Sequence, residues 1–447
     1  MGGGGLGAYE PGEWSDDTQM AVLIARVSAT GVDLRSADAL DEIALAFEEW
    51  FGGGPSDVGI QTSAVLWAAA QLDGHEAERL TRASRDYYER TDRAAGNGAL
   101  MRTSVVGLAA LMDREATAQM ARAIASLTHA DPLAGDSCVL WSEAVRVAVT
   151  QHRLDVRGGL DLIPAETRPR WSRWITEAEA PDAAPRLRDN GFTVTALQAA
   201  WHAIATTPVP ADDRDAGTFA CQHLQQALHA AVRIGGDTDT VAAIAGGLLG
   251  ANWGASAVPA RWRRIVNGWP NGLRARDLIA YGLLTVGGGK PDIRGWPTTS
   301  RMSYDWVEPG DGVPHPADDG VVLGTVKTTR HNCEAVVSLC QRGKAEVPLP
   351  GNRAQDHVEV WLMDSEDPAD NPNLDFVLAD TAAVIADLRA EGLRVLLHCV
   401  AAEQRTPTVA VAYGVHTGQD RAKAAAIVRA ALPSIRGHGL LWDRVRQ

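Results

Sequence analysis

The sequence predicts two domains of different class, an all-α domain followed by a smaller α/β domain. Three observations carry that reading. From Asp17 to about Val286 apolar residues recur at helical spacing, and β-branched alternation is scarce. Between 287 and 319 Gly, Pro and Asp crowd together without periodicity, as in a linker. From 320 onward short apolar runs alternate with helical ones, the pattern of a largely buried sheet flanked by helices. A chain of 447 residues is long enough for both domains.

The opening MGGGGLGAYEPGEW is glycine-rich and reads as a loop. Helices follow in DDTQMAVLIARV, in SADALDEIALAFEEWF with Ser36 as its cap, and in PSDVGIQTSAVLWAAAQL from Pro55. Further helical runs are EATAQMARAIASL, DSCVLWSEAVRVAVTQHRL, TVTALQAAWHAIATT and TFACQHLQQALHAAVRI. The α domain is therefore expected over 1–286, the linker over 287–319 and the α/β domain over 320–447. In the last, VVLGTV, EAVVSLC, HVEVWLMD and LRVLLHCV read as strands; LDFVLADTAAVIADLRAEG and DRAKAAAIVRAAL read as helices. The sequence contains no internal repeat.

Composition narrows the function. A net charge of −14 leaves no basic surplus to neutralise a phosphate backbone, so nucleic acid is not expected as the main partner. Five scattered cysteines, Cys138, Cys221, Cys333, Cys340 and Cys399, include no CxxC pair and suit a reducing compartment. No basic-then-apolar leader opens the chain, and no apolar run reaches the roughly 18 residues of a membrane span. A soluble cytoplasmic protein without a membrane partner is expected.

Two acidic helix starts raise a physical question. Ser15, Asp16, Asp17 and Thr18 precede one apolar run; Asp237, Thr238, Asp239 and Thr240 precede another, after Gly235 and Gly236. One such start is ordinary capping, since free N–H groups and the helix dipole attract anions. Two, each leading into a core helix, form an all-oxygen ligand set suited to a hard cation such as Mg²⁺. Elsewhere, GNGALMR places Gly96 and Gly98 around Asn97, leaving bare backbone that a ligand can approach closely. THADP contributes His129.

Taken in order over residues 9–286, GEWSDDTQM, GNGALMR, THADP and GGDTDTVAAIAGGLLGA resemble the ADP-ribosylglycohydrolase family. The resemblance implies an all-α fold with two Mg²⁺ ions (Mn²⁺ as the alternative) in a cleft. It implies hydrolysis of the N- or O-glycosidic bond between ADP-ribose and a protein residue or nucleotide. The metal ligands it implies are Ser15, Asp16, Asp17, Asp237, Asp239 and Thr240; Ser15 stands where the family usually has threonine. Asp16 or Asp239 would take the proton from water, and Gly96, Asn97, Gly98 and His129 would meet the substrate. The family usually carries a further helix before its first motif. Only fourteen residues precede Ser15 here, so that helix is expected to be missing.

The later domain has its own motif. His398, Cys399 and Arg405, followed by Thr406, make the spacing HCx5R between a strand pattern and a helix pattern. A cysteine facing a helix N-terminus gains thiolate character, and an arginine can hold a phosphate through two hydrogen bonds. Over about 320–440 this resembles the cysteine-dependent protein tyrosine and dual-specificity phosphatases. The resemblance implies Cys399 as nucleophile, Arg405 as phosphate holder and a general acid at Asp364, with Asp367 second. Ala402 stands where those phosphatases usually have glycine. A bifunctional hydrolase is thus expected, acting on an ADP-ribosylated protein or nucleotide and on a phosphorylated substrate. The alternative is a module that binds ADP-ribose or phosphate, with one or both domains catalytically inactive.

Overall fold

The computed structural model describes residues 3, 7–330, 332–432 and 434–447. The chain forms two compact units. One comprises Met1–Val209, His223–Gly254 and Val266–Lys290; the other comprises Pro210–Gln222, Ala255–Ile265 and Pro291–Gln447.

The first unit is helical. Its helix starts follow local chemistry: the Ser36 hydroxyl accepts from Ala39 N, the Asp113 carboxylate from Ala116 N, and the Asp131 carboxylate from Leu133 N. Pro132 occupies the first turn after Asp131, where its missing N–H costs nothing. That helix, Pro132–Gln151, is buried on nearly all sides and forms the centre of the unit. Its Trp141 indole donates to the Ile244 carbonyl at 3.1 Å, fixing it against the helix Thr238–Trp253. Inside the same helix Asp136 is fully buried and receives bonds from Arg122, Thr167 and Trp171. The segment before Asp16, expected as a loop, is tied down by Trp14, whose backbone N–H donates to Asn267 and whose indole donates to Trp269.

The second unit is built on a five-stranded sheet. Its strands are β1 (Val313–His315), β2 (Asp318–Thr325), β3 (Ala335–Ser338), β4 (His357–Glu359) and β5 (Val395–Cys399). The spatial order is β1-β2-β5-β3-β4, with β1 antiparallel to β2 and the remaining neighbours parallel. Every residue of β5 is buried, as a central parallel strand covered on both faces requires. Val337 pairs with Leu397 and Val321 with Val395, so the apolar runs of the sequence meet in register. Helices Leu374–Ala390, Arg405–His416, Arg421–Ala431 and Leu440–Arg446 complete the core.

Two features depart from the sequence pattern. The stretch read as a linker carries β1, and its Met302, Tyr304 and Val307 are buried with Cys340 and Val400. The run HVEVWLMD yields only the three-residue β4, because Trp361 onward leaves the ladder. Among the described residues no helix is long and apolar enough to cross a membrane.

Candidate active site

The helix Asp16–Ser28 starts without a side-chain cap. Ser15 stands at the capping position, yet its hydroxyl donates to Asp17 Oδ2 at 2.6 Å and leaves the helix amides alone. The helix Thr238–Trp253 repeats this: Asp237 stands at its cap position but makes no side-chain cap bond. Its Oδ2 instead accepts from Asn97 Nδ2 at 2.7 Å. Capping therefore does not account for these carboxylates.

The two helix starts converge. Asp17 feels the negative charges of Asp239 and Asp237 and bonds with Ser15 and Thr240; Asp16 feels Asp17, Asp57 and Asp239. Asp17 is 1% exposed and Asp16 8%. Burial first, then these like charges, push the Asp16 carboxyl up to about 8. Burial and Asp239 push Asp17 up to about 7, against the opposing bonds from Ser15 and Thr240. Asp237 is raised too, chiefly by burial, although Asn97 works against it. One oxygen of Asp17, Oδ1, is buried with no hydrogen-bond partner. A buried carboxylate oxygen without a donor, among other carboxylates, fits a bound hard cation.

Asn190 holds the second helix start in place. Its Nδ2 donates to the carbonyls of Leu187 and Gly235, and its Oδ1 accepts from the Asp237 backbone N–H at 2.7 Å. Gly236 beside it has φ +80°, and a side chain there would run into the Arg188 carbonyl oxygen. The structure thus brings together Ser15, Asp16, Asp17, Asp237, Asp239, Thr240 and Asn97.

The glycines of GNGALMR lie beside His129 in a half-buried turn. A Cβ at Gly96 would lie 3.3 Å from His129 Nε2, and one at Gly98 would lie 3.3 Å from the same atom. The ring of His129 packs on the turn, 2% exposed, with its Nδ1 2.8 Å from Thr128 Oγ1. Burial, and then Arg102, lower its pKa to about 3, so the ring is neutral.

Besides Asn190, two residues at the cluster escaped the sequence reading. Asp57 acts on Asp16 from the loop before the helix Ile60–Ala69. Tyr9, from the glycine-rich opening, feels both Asp16 and Asp57; its hydroxyl is buried without a partner and its pKa is raised, by burial first. Neither sits in a recognisable motif; a lone Asp between Ser56 and Val58 carries no spacing signal. Separately, Asp41, His75 and Glu76 bring possible ligand atoms within 4.8 Å of one another. Asp41 and Glu76 are half-buried and His75 is exposed, and Asp41 already accepts from Ala77 N at 2.9 Å and lies 3.9 Å from His75. That group is an ordinary surface arrangement around a helix start.

In the second unit Cys399 ends β5, 2% exposed, and Arg405 begins the helix Arg405–His416. Arg405 Nη1 donates to the carbonyls of Leu339 and Leu362, while its Nε is buried without a partner. Asp364 Oδ2 lies 3.9 Å from that Nε. Asp367 is occupied differently, accepting from Ala369 N in a local turn. Between Cys399 and Arg405, Ala402 is buried with φ +57°. A β-carbon in that conformation costs about 1 kcal/mol or more, which glycine would avoid.

Known proteins resemble the helical part. The ADP-ribosyl-[dinitrogen reductase] glycohydrolase of Rhodospirillum rubrum is 28% identical over 263 residues, covering 59% of this chain and 76% of that protein. The ADP-ribosylhydrolase ARH3 of Homo sapiens is 29% identical over 215 residues, 43% of this chain and 58% of that protein. The ADP-ribosylarginine hydrolase Tri1 of Serratia proteamaculans is 24% identical over 267 residues, 59% of this chain and 65% of that protein. The chain thus spans somewhat under two thirds of the latter two. Residues 1–291, well over half of the chain, match the ADP-ribosylglycohydrolase family, and the chain belongs to that family.

Proposed function

We propose that the helical unit hydrolyses ADP-ribosyl linkages on protein residues or nucleotides, with divalent cations held by Ser15, Asp16, Asp17, Asp237, Asp239 and Thr240. The observation that carries this reading is the pair of uncapped helix starts whose carboxylates face one another, with the Asp17 Oδ1 buried and unpartnered. Every donor is oxygen, which suits a hard divalent cation; Mg²⁺ is the proposed ion, with Mn²⁺ as the alternative. When bound, such cations polarise water and ribose hydroxyls as Lewis acids. The chain's own residues then orient and move protons. Asn97 holds Asp237 through its amide, and Asn190 fixes the backbone from which Asp237 and Asp239 extend. Asp16 or Asp239 would accept the proton of the attacking water. Water adds at the anomeric carbon, the glycosidic bond breaks, and the leaving nitrogen or oxygen takes a proton.

The names of the relatives support this substrate class, since each is a hydrolase of ADP-ribosyl groups. The test is ADP-ribose release from mono-ADP-ribosylated arginine and serine peptides, with Mg²⁺ and with chelator. Release that requires the cation and falls at least 100-fold in Asp239→Ala is expected, since a metal contributes several kcal/mol to such a step. Release that persists in chelator, or in that variant, would refute the reading.

A second activity at Cys399 is favoured by one observation, the buried Arg405 Nε without an acceptor and within 3.9 Å of Asp364. In this reading the Cys399 thiolate attacks phosphorus, Arg405 holds the phosphate oxygens and Asp364 protonates the leaving oxygen. An aryl phosphate is the test substrate. Turnover should vanish in Cys399→Ser and rise in Ala402→Gly, because glycine relieves the left-handed position. Turnover indifferent to Cys399→Ser would remove this reading and leave at most phosphate binding.

A further inference from the structure

Arg102 is the most unusual charged residue of the helical unit. It is 1% exposed, and no carboxylate is among its partners. Its guanidinium lies 4.5 Å from the Phe47 ring centroid, its Nη1 is 3.5 Å from Met20 Sδ, and its Nε is buried without a partner. A buried cation without an anion is costly, so its one short bond carries weight: Nη2 donates to Thr128 Oγ1 at 2.8 Å. Burial lowers even its pKa, to about 10, which still leaves it charged and a donor only.

The proton inventory then runs in one direction. Thr128 is fully buried, so its hydroxyl hydrogen needs an acceptor inside the protein. Its oxygen already accepts from Arg102. Among the described residues the acceptor within reach of its hydrogen is His129 Nδ1, at 2.8 Å. Nδ1 is therefore unprotonated, and in a neutral ring the hydrogen resides on Nε2. That nitrogen is the atom facing Gly96 and Gly98. The turn itself is half-buried and carries Asn97, the partner of Asp237.

We infer that Arg102 and Thr128 are positioning residues that lock His129 in the tautomer with its hydrogen on Nε2, presenting a fixed donor at the Gly96–Gly98 turn for an oxygen of the bound ADP-ribosyl group. The inference rests on the function proposed above for its ligand, though not for its tautomer. An imidazole free to choose would offer a donor only part of the time; the buried guanidinium removes the choice. The glycines serve this arrangement by leaving room for the ring edge, which any side chain there would push against.

The test uses the full chain and two readouts. Long-range ¹H–¹⁵N spectra of the histidine rings, with His129→Asn to assign the signal, report the tautomer. Calorimetric titration with ADP-ribose reports the ligand contact. The unsubstituted protein should show His129 protonated at Nε2. Thr128→Val should give mixed tautomers and bind ADP-ribose about tenfold more weakly, the worth of one neutral hydrogen bond. Thr128→Ser, which restores the hydroxyl, should recover both. A ring protonated at Nδ1, or a tautomer and affinity unmoved by Thr128→Val, would overturn the inference. If the unsubstituted protein binds no ADP-ribose, the proposed substrate falls and the spectrum alone decides the tautomer.

Discussion

Asp17 shows how much a single residue can report. With Oδ2 on Ser15 and Oδ1 buried without a donor, it holds its proton up to about pH 7, and Asp16 holds its own up to about 8. A cation entering this cluster must displace those protons. Divalent cation affinity should therefore rise between pH 6 and pH 8, with protons released on binding; calorimetry in buffers of different ionisation heat measures both. Affinity flat over that range would sink the assignment of these carboxylates as ligands. The motif residues at this site were legible in the sequence because adjacent carboxylates before an apolar run are rare without a reason. Asp57, Tyr9 and Asn190 were not legible. Each reaches the cluster from a loop through space, and a single Asp, Tyr or Asn in a loop looks like any turn residue. The two glycines were legible as bare backbone, but a sequence cannot reveal that a histidine 31 residues further on lies beside Gly98.

At the scale of elements, the helices and the buried strands followed from periodicity, because each buries a continuous apolar face. Their ends were harder. The helix expected from Pro55 starts at Ile60, and the Asp57 loop occupies the difference. The entry to the helix Thr238–Trp253 is the element that most needs its backbone. Gly236 at φ +80° abuts the Arg188 carbonyl and the Asn190 amide, so Gly236→Ala must shift the chain that carries Asp237 and Asp239. This variant should lose at least about 1 kcal/mol of stability and weaken divalent cation binding together. Urea unfolding and the same cation titration measure the two; a variant with unchanged cation affinity would show that the helix entry tolerates another path. Gly250→Ala, in the same helix with open space around it, is the control expected to leave cation binding unchanged and to gain up to about 1 kcal/mol of stability.

For the whole molecule, the carboxylates with raised pKa set how stability follows pH. Asp16 and Asp17 titrate in the folded state at about 8 and about 7, against 3.8 ordinarily. Between those values the folded chain binds more protons than the unfolded one, so stability is highest at the acid side and declines as pH rises from about 4 to about 8. In chelator the melting temperature should fall over that window; added Mg²⁺ should oppose the fall, most strongly near pH 8. Thermal melts at pH 5 and 8, each with and without cation, test this. A melting temperature that rises with pH in chelator would contradict it. The division of the chain was legible only in outline. Composition marks the change near 290, but nothing local distinguishes 210–222 and 255–265 from the helical sequence around them.

Those two short segments bear on how the protein can be inherited and rearranged. Phe219 stacks edge-on to Phe376, the backbone of Ala260 donates to Asp380, and Arg263 lies over Trp361. A gene cut near codon 290 would therefore leave the α/β piece short of part of its own interior. It would also burden the helical piece with apolar side chains that have lost their neighbours. A chain emerging from the ribosome must await its last third before these early segments find their places.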